Sequence, residues 1–309
     1  MKSSTVISSI PQRGGTAEFK RILCPTDFSE FSDMAFRYAL LLAQHYRAKL
    51  FVQHVVELWR HPEAAFAPAH YYEEFRGHLL HNGEEELRKF VKSNGDNGIQ
   101  PERMVGQGMA ADTILALADA EKVDLIVMGT HGRRGFDRLM VGSVTERVLR
   151  KASYPVLAVH KPSPDFLSSR EQQDPVHLNR ILFCTDFSEN SERALGHAIS
   201  LTAEYNAELT LLHVLEDIPN WSSIDEAAAA ATEQLDELVP PEKPKAGSIK
   251  TVVHRGSPYQ QIIQLALEAR SDLVIMAVRG RGALNLAVFG STTYRVIQLG
   301  PCPVLAVHV

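Results

Sequence analysis

The sequence predicts an α/β protein made of two tandem domains, each a doubly wound, five-stranded parallel sheet covered by helices. Three observations support this fold class. The stretch around Asp27 recurs around Asp186, and the segment that ends at His160 recurs at His308. Each copy alternates short runs rich in Val, Ile and Leu with longer amphipathic runs. With 309 residues, the chain is long enough for two domains that each bury a core.

The repeat sets the predicted domain boundaries. KRILCPTDFSE at 20–30 corresponds to NRILFCTDFSE at 179–189, and YPVLAVH at 154–160 corresponds to CPVLAVH at 302–308. We therefore expect a flexible N-terminal arm over 1–18, domain 1 over 19–160, a linker over 161–178 and domain 2 over 179–309. The linker is expected because this stretch is rich in Pro, Ser and charged residues.

Hydrophobic periodicity and capping residues predict the elements of the first copy. Apolar runs predict strands at 21–24, 49–56, 103–106, 124–128 and 155–159. Ser29 is the expected N-cap of the first helix, whose apolar face begins at Phe36. Further helices are expected at 71–91, 110–120 and 143–151.

The second copy follows the same order. Its predicted strands are 180–183, 208–215, 249–254, 272–276 and 303–309, and its predicted helices are 188–205, 224–238, 258–269 and 291–299. The two equivalent histidines on the second strands, His54 and His213, are expected to be hydrogen-bonded core residues rather than ligands.

The connection after the fourth strand of domain 1 carries the strongest functional signal. It reads MGTHGRRGFDRLMVGSVT over 128–145, with Gly129, Gly132 and Gly142 in one short connection and with Ser143 where a helix N-cap belongs. Glycine lets a ligand approach the backbone, and a helix N-terminus attracts an anion. The loop lacks the Lys-Ser/Thr pair of a P-loop and the closer glycine spacing of the dinucleotide fingerprint. We therefore predict an anion site, for a nucleotide, at the sheet edge where Asp27 also lies.

These residues resemble the universal stress protein family in a tandem two-domain form. The family's nucleotide pattern is Gly, two residues, Gly, nine residues, then Gly followed by Ser or Thr, and the first copy matches it at Gly129, Gly132 and Gly142-Ser143. The resemblance implies Rossmann-like domains of the adenine nucleotide alpha-hydrolase type. It also implies a cytoplasmic, ATP-binding stress-response protein, with or without Mg²⁺, that acts as a nucleotide-dependent sensor or interaction module.

The same resemblance implies a set of nucleotide-binding residues in domain 1. Asp27 would accept hydrogen bonds from ribose hydroxyls, Val55 would pack on the adenine, and residues 142–145 would offer backbone N–H and hydroxyl groups to the phosphates. The full set is Pro25, Thr26, Asp27, Val55, Met128, Gly129, His131, Gly132, Arg133, Gly142, Ser143, Val144 and Thr145. Arg133 would add positive charge.

The second copy departs from the family pattern. It keeps Asp186, Val214, Gly280, Gly290 and Ser291, which would form a weaker or vestigial site. Ala277 stands where domain 1 has Gly129, and if that glycine has positive φ, the alanine is strained by about 1 kcal/mol or more. Its methyl group would also occupy space beside a ligand, so we expect the second site to be weaker, altered or empty.

Two alternatives remain open from the sequence. The glycine loop could serve only as a tight turn, with Asp27 and Asp186 as helix caps, in a nucleotide-free protein-interaction module of the same family. The chain could instead be an enzyme that shares the fold. Without a Walker lysine or an acidic pair for magnesium, we predict no catalytic residues and at most slow ATP hydrolysis.

Composition narrows the range of partners. A net charge of −5 argues against general nucleic-acid binding, and no apolar run approaches the roughly 20 residues of a membrane helix. Three cysteines without a CxxC pair fit a reducing cytosol. The spacing of His61, His70, His78 and His81 matches no common metal site, so we predict no bound metal.

The resemblance also implies an association between the domains. Strand five of family members commonly pairs across a dimer interface, so we expect 155–159 to pair with 303–307 as an intrachain pseudo-dimer. A homodimer of the whole chain and a protein partner of unknown identity stay open.

Overall fold

The computed structural model describes residues 19–58, 68–95, 98–132, 141–160, 177–216, 224–240, 248–278 and 290–308. The predicted arm, most of the predicted linker, and two predicted site residues, Arg133 and Gly280, lie outside these ranges. No helix in the described ranges combines the length and the apolar character needed to cross a bilayer.

The elements alternate between strand and helix through both copies. The strands are β1 Arg21–Pro25, β2 Lys49–Val56, β3 Glu102–Gln107, β4 Leu125–Gly129, β5 Val156–Val159, β6 Arg180–Cys184, β7 Glu208–Leu215, β8 Ile249–Arg255, β9 Leu273–Ala277 and β10 Val304–Val307. The helices are α1 Glu30–Tyr46, α2 Ala69–Asn94, α3 Ala110–Glu121, α4 Ser143–Lys151, α5 Glu189–Tyr205, α6 Ile224–Leu238, α7 Pro258–Glu268 and α8 Ser291–Leu299.

One continuous sheet of ten strands runs through both domains, in the order β3-β2-β1-β4-β5-β10-β9-β6-β7-β8. The strands within each domain are parallel, and β5 pairs with β10 in antiparallel orientation with Leu157 opposite Leu305. The predicted intrachain pairing of the two domains is therefore present. This pairing provides hydrogen-bond partners for backbone groups of β5 and β10, which would otherwise be edge strands.

Each face of the sheet has its own apolar core. Side chains from α1, α2, α5 and α6 pack on one face, and side chains from α3, α4, α7 and α8 pack on the other. Phe36 and Phe183 are fully buried in the first core. Leu178, at the end of the predicted linker, is also buried there, as is its equivalent Phe19.

Contacts between the domains extend beyond the strand pair. His45 Nε2 lies 2.9 Å from Glu204 Oε1, which joins the ends of α1 and α5. These residues occupy equivalent positions in the two copies, so the contact joins corresponding turns of α1 and α5. From domain 2, His308 Nε2 lies 2.7 Å from the carbonyl oxygen of Leu149 near the end of α4.

Candidate functional site

The turn between β1 and α1 places Asp27 at the carboxyl edge of the sheet. The Thr26 hydroxyl accepts from the Phe28 backbone N–H at 3.0 Å and donates to Ser32 Oγ at 3.0 Å. Asp27 Oδ1 accepts from the Ser29 backbone N–H at 3.1 Å. The buried Thr26 side chain therefore shapes the turn, and Ser29, not Asp27, caps α1 as predicted.

The turn holds Phe28 in the left-handed region, with φ of 62°. Such a conformation costs about 1–3 kcal/mol outside glycine. The ring of Phe28 stacks on His54 with centroids 4.4 Å apart, and His54 Nδ1 lies 3.0 Å from the Thr26 carbonyl oxygen. His54 thus donates to the turn and holds it, which is the structural role that the sequence predicts for this histidine.

Gly129 is required by close packing rather than by its backbone angle. Its φ lies outside the left-handed region, and so does that of Ala277. The condition for backbone strain at Ala277, a positive φ at Gly129, is therefore not met. A Cβ at Gly129 would lie 2.7 Å from both the backbone carbon and the oxygen of Phe31 in α1.

Gly132 brings the loop after β4 against Asp27. A Cβ at Gly132 would lie 2.6 Å from Asp27 Oδ2, so a larger residue would displace either the loop or the carboxylate. Two predicted site residues, one after β1 and one after β4, therefore meet at the same edge.

The start of α4 differs in detail from the sequence prediction. Gly142 is the N-cap and Ser143 is the first helical residue, so Ser143 is not the cap. The Gly142 N–H donates to the Thr130 carbonyl at 2.7 Å, which engages a group expected to bind phosphate. The Thr145 hydroxyl donates to the Gly129 carbonyl at 2.8 Å, so its proton is also engaged. Both hydrogen bonds hold the loop after β4 to the start of α4, so these two donors are used within the protein rather than for a phosphate.

The N-terminus of α4 nevertheless has the general features that attract an anion. Within the described ranges no side chain caps this helix, and the first N–H groups of a helix have no intrahelical partner. Ser143 is exposed and Val144 is half-buried. The N–H groups of the first turn, together with the helix dipole, favour a bound anion.

His131 is buried beside this helix start. Its side chain is 4% exposed, and Nδ1 lies 2.9 Å from Thr130 Oγ1. Its Nε2 is buried without a hydrogen-bond partner among the described residues. Burial lowers the pKa of His131 below its ordinary value of 6.5, so the ring is neutral near pH 7 and does not supply fixed positive charge.

Sequence analysis missed two residues of this site. The ring of Phe31 lies 4.8 Å from that of His131, and the fully buried Thr130 bonds both His131 and Gly142. Thr130 lies between the glycines of the motif, which was a usable signal. Phe31 has no motif to mark it, because its role depends on where α1 crosses β4.

The apolar members of the predicted site lie at its base. Pro25 and Met128 are buried, and Val55 on β2 is half-buried. Met128 packs in the core between the sheet and α3 and α4, with Val55 against it. Val55 thus retains exposed surface, whereas the Met128 side chain is mostly part of the core.

Domain 2 has the same turn and loop as the site in domain 1, but some of the polar groups there differ. Phe187 has φ of 57°, and Asp186 Oδ1 accepts from the Ser188 backbone N–H at 3.1 Å and also from its hydroxyl at 2.6 Å. The Gly290 N–H donates to the Val278 carbonyl at 3.2 Å. Val278 replaces Thr130, so no hydroxyl is present at this position. Of the other predicted residues, Val214 is half-buried and Ser291 is exposed.

Comparisons with known proteins agree with this architecture. The model of the universal stress protein family matches residues 18–160 and 177–308. A universal stress protein of Mycolicibacterium smegmatis is 28% identical over 309 residues, covering 93% of this chain and 96% of the relative. Another, from Methanocaldococcus jannaschii, is 34% identical over 153 residues, covering 50% of this chain and 89% of the relative. The crystal structure of a universal stress protein from Archaeoglobus fulgidus has a TM-score of 0.66 at 22% identity, covering 95% of this chain and 99% of that one.

Proposed function

Because this chain belongs to the universal stress protein family, we propose that domain 1 binds an adenine nucleotide and that the protein acts in stress responses as a nucleotide-dependent sensor or interaction module. The ligand proposed is ATP, alone or with Mg²⁺. The observation that carries the proposal is the uncapped start of α4 beside the glycine loop and Asp27. Three buried, unpaired cysteines support a cytoplasmic location.

Each part of the nucleotide has a matching group at this edge. The backbone N–H groups of Ser143 and Val144 bind phosphate oxygens, and Asp27 Oδ2 accepts from the ribose. The exposed part of Val55 packs on the base. Arg133, which lies outside the described ranges, supplies positive charge in this proposal.

We propose at most slow hydrolysis. His131 is a neutral proton acceptor within the loop, but it is buried and its Nδ1 is engaged with Thr130. Efficient phosphoryl transfer depends on groups that position a nucleophile and neutralise developing charge, and a buried neutral imidazole does neither.

Substituting Gly142 by Asp tests the proposed phosphate site. Gly142 has φ of −58°, which any residue adopts, and Asp is a favoured N-cap. Its Cβ would lie 3.3 Å from the Thr130 carbonyl oxygen, a contact that a small shift relieves. We therefore expect Gly142→Asp to fold and to lose nucleotide binding, because its carboxylate occupies the helix N-terminus and repels phosphate.

Gly290→Asp is the matched control, since Gly290 is the N-cap of α8 in domain 2. ATP binding is measured by calorimetry, and nucleotide released from denatured wild-type protein is identified by mass spectrometry. Loss of binding in Gly142→Asp alone supports one working site in domain 1. Unchanged binding in Gly142→Asp would contradict the proposal, and equal loss in both variants would show that domain 2 binds as well.

The nucleotide-free interaction module is the second candidate for domain 2. The hydrogen bond from the Ser188 hydroxyl to Asp186 favours it, because Asp186 Oδ1 then accepts from two groups of its own turn and is less available to a ligand. Domain 2 would then bind no nucleotide and would support domain 1 through the shared sheet.

A further inference from the structure

The outer face of α7 and α8 carries an apolar groove of about 480 Å³. It is lined by Leu299 of α8 and by Tyr259, Gln260, Ile263, Gln264, Leu267 and Glu268 of α7, and we call it the α7–α8 groove. Leu267 is 58% exposed and Leu299 is 39% exposed. Single exposed leucines are common, but two large ones in one groove indicate a contact surface.

Domain 1 provides an internal comparison for this surface. The positions equivalent to Leu267 and Leu299 carry Asp119 and Lys151. Asp119 accepts from the Tyr154 hydroxyl at 2.9 Å, and Lys151 forms an ion pair with Asp112 at 2.9 Å. The same face of the same fold is thus polar and internally paired in domain 1, so the fold itself does not require apolar residues here.

Opposite charges stand at the two ends of the groove. The guanidinium of Arg295 lies 4.6 Å from the ring centroid of Tyr259, near the N-terminus of α7. Glu268 is the last residue of α7, about 14 Å further along the helix axis at 1.5 Å per residue. A second groove laid against this one in the opposite direction therefore brings its negative end to the positive end of the first.

We infer that the α7–α8 groove is the contact surface for a second copy of this chain, with the two α7 helices antiparallel about a twofold axis. In this arrangement Leu267 and Leu299 of each copy are buried against the other copy. Glu268 of each copy meets Arg295 of the other, and the N-terminus of each α7 faces the C-terminus of its partner. Because a twofold contact uses the same surface on both copies, it closes into a dimer, and the polar equivalent face of domain 1 offers no second surface of this kind.

The lining of the groove favours this occupant over a small ligand. Ligand pockets usually combine apolar walls with a few buried polar groups that point at one place. Here the polar lining residues Gln260, Gln264 and Glu268 are all exposed, and Gln264 donates to Glu268 at 2.8 Å. Such a rim around apolar side chains is typical of protein interfaces.

Analytical ultracentrifugation of the full chain over a range of concentrations tests the inference. The wild type is expected to dimerise reversibly, and Leu267→Asp and Leu299→Lys, which install the residues of domain 1, should each raise the dissociation constant at least about tenfold. Met109→Asp is the matched control, because Met109 is 49% exposed on domain 1 and lies outside the groove. It should leave the dissociation constant unchanged.

Charge exchange tests the antiparallel orientation. Glu268→Arg and Arg295→Glu should each weaken the dimer, and the double variant should restore it because both contacts then re-form with reversed signs. A wild type that stays monomeric overturns the inference, as does a dimer insensitive to Leu267→Asp or a double variant that stays weak. Dimerisation should persist in Gly142→Asp, which separates this surface from the proposed nucleotide site.

Discussion

At the scale of single residues, glycine serves three purposes in the candidate site. The missing side chain of Gly129 leaves room for the backbone of α1, and that of Gly132 leaves room for the Asp27 carboxylate. Gly142 is the N-cap of α4. The family pattern identified all three positions. It could not give the reasons, because each depends on an atom that is distant in sequence.

The first prediction concerns Gly129→Ala. Its new methyl group would meet the Phe31 backbone at 2.7 Å, so we expect a loss of about 1–3 kcal/mol in the free energy of unfolding and weaker nucleotide binding. Denaturant unfolding and calorimetry measure the two effects. The reciprocal Ala277→Gly in domain 2 should cost only about 0.5–1 kcal/mol, the usual effect of glycine in a strand. Equal effects at both positions would contradict the packing argument.

The second prediction concerns the pH dependence of stability. The pKa of His131 is lowered in the folded state by burial, so the unfolded chain binds more protons between that lowered value and 6.5. Stability should therefore fall as the pH drops below 6.5 and level off below the folded-state pKa. Burial lowers the pKa of His197 in the same direction, so both histidines contribute.

Denaturant unfolding at about pH 7.5 and about pH 5.5 measures this effect. His131→Asn, which can keep a hydrogen bond to Thr130, should lose less stability on acidification than the wild type. His78→Gln, at an exposed position on α2, should behave like the wild type. An unchanged pH dependence in His131→Asn would show that this histidine is not the cause.

At the scale of elements, the sequence predicted the type and order of every strand and helix it assigned. Five elements have the predicted bounds: β2, β7, α4, α6 and α8. Apolar runs alternating with helical segments, together with caps such as Ser29, were sufficient to assign these elements. The strands stand out because a parallel sheet buries them whole, which makes them continuously apolar. Contacts between elements, including those of α1 with β4 and of His308 with α4, depend on packing angles that no local pattern encodes.

The third prediction tests how domain 2 holds α4. His308 donates to the Leu149 carbonyl near the end of this helix, where carbonyls lack intrahelical partners. His308→Ala should lower the free energy of unfolding by about 1–2 kcal/mol by removing this bond. His308→Gln keeps a donor and should recover part of the loss in thermal or denaturant unfolding. Equal losses in both variants would mean that ring packing, not the hydrogen bond, matters.

At the scale of the whole molecule, the two domains share one sheet. Leu157 and Leu305 face each other at its centre, and both are almost fully buried. This junction should make the two domains unfold together, because separating them exposes apolar surface and unpairs two strands.

The fourth prediction concerns that junction. Leu305→Asp places a carboxylate in an apolar interior, so we expect a loss of about 3 kcal/mol or more. Calorimetry should show one transition in the wild type and two in the variant, since the carboxylate disrupts the junction across which both apolar cores join the domains. Glu208→Gln, at an exposed position far from the junction, is the control and should retain one transition. A single transition in Leu305→Asp would mean that the domains are coupled mainly by other contacts.

The pairing of β5 with β10 also has a consequence for dosage in the cell. A partner on the same polypeptide is present at a high effective concentration, so dilution cannot separate the two halves and a related subunit cannot replace either. One intact and one altered glycine motif are therefore delivered in a fixed ratio of one to one, whatever the expression level. A mixture of single-domain proteins could reach that composition only by chance or by selective pairing.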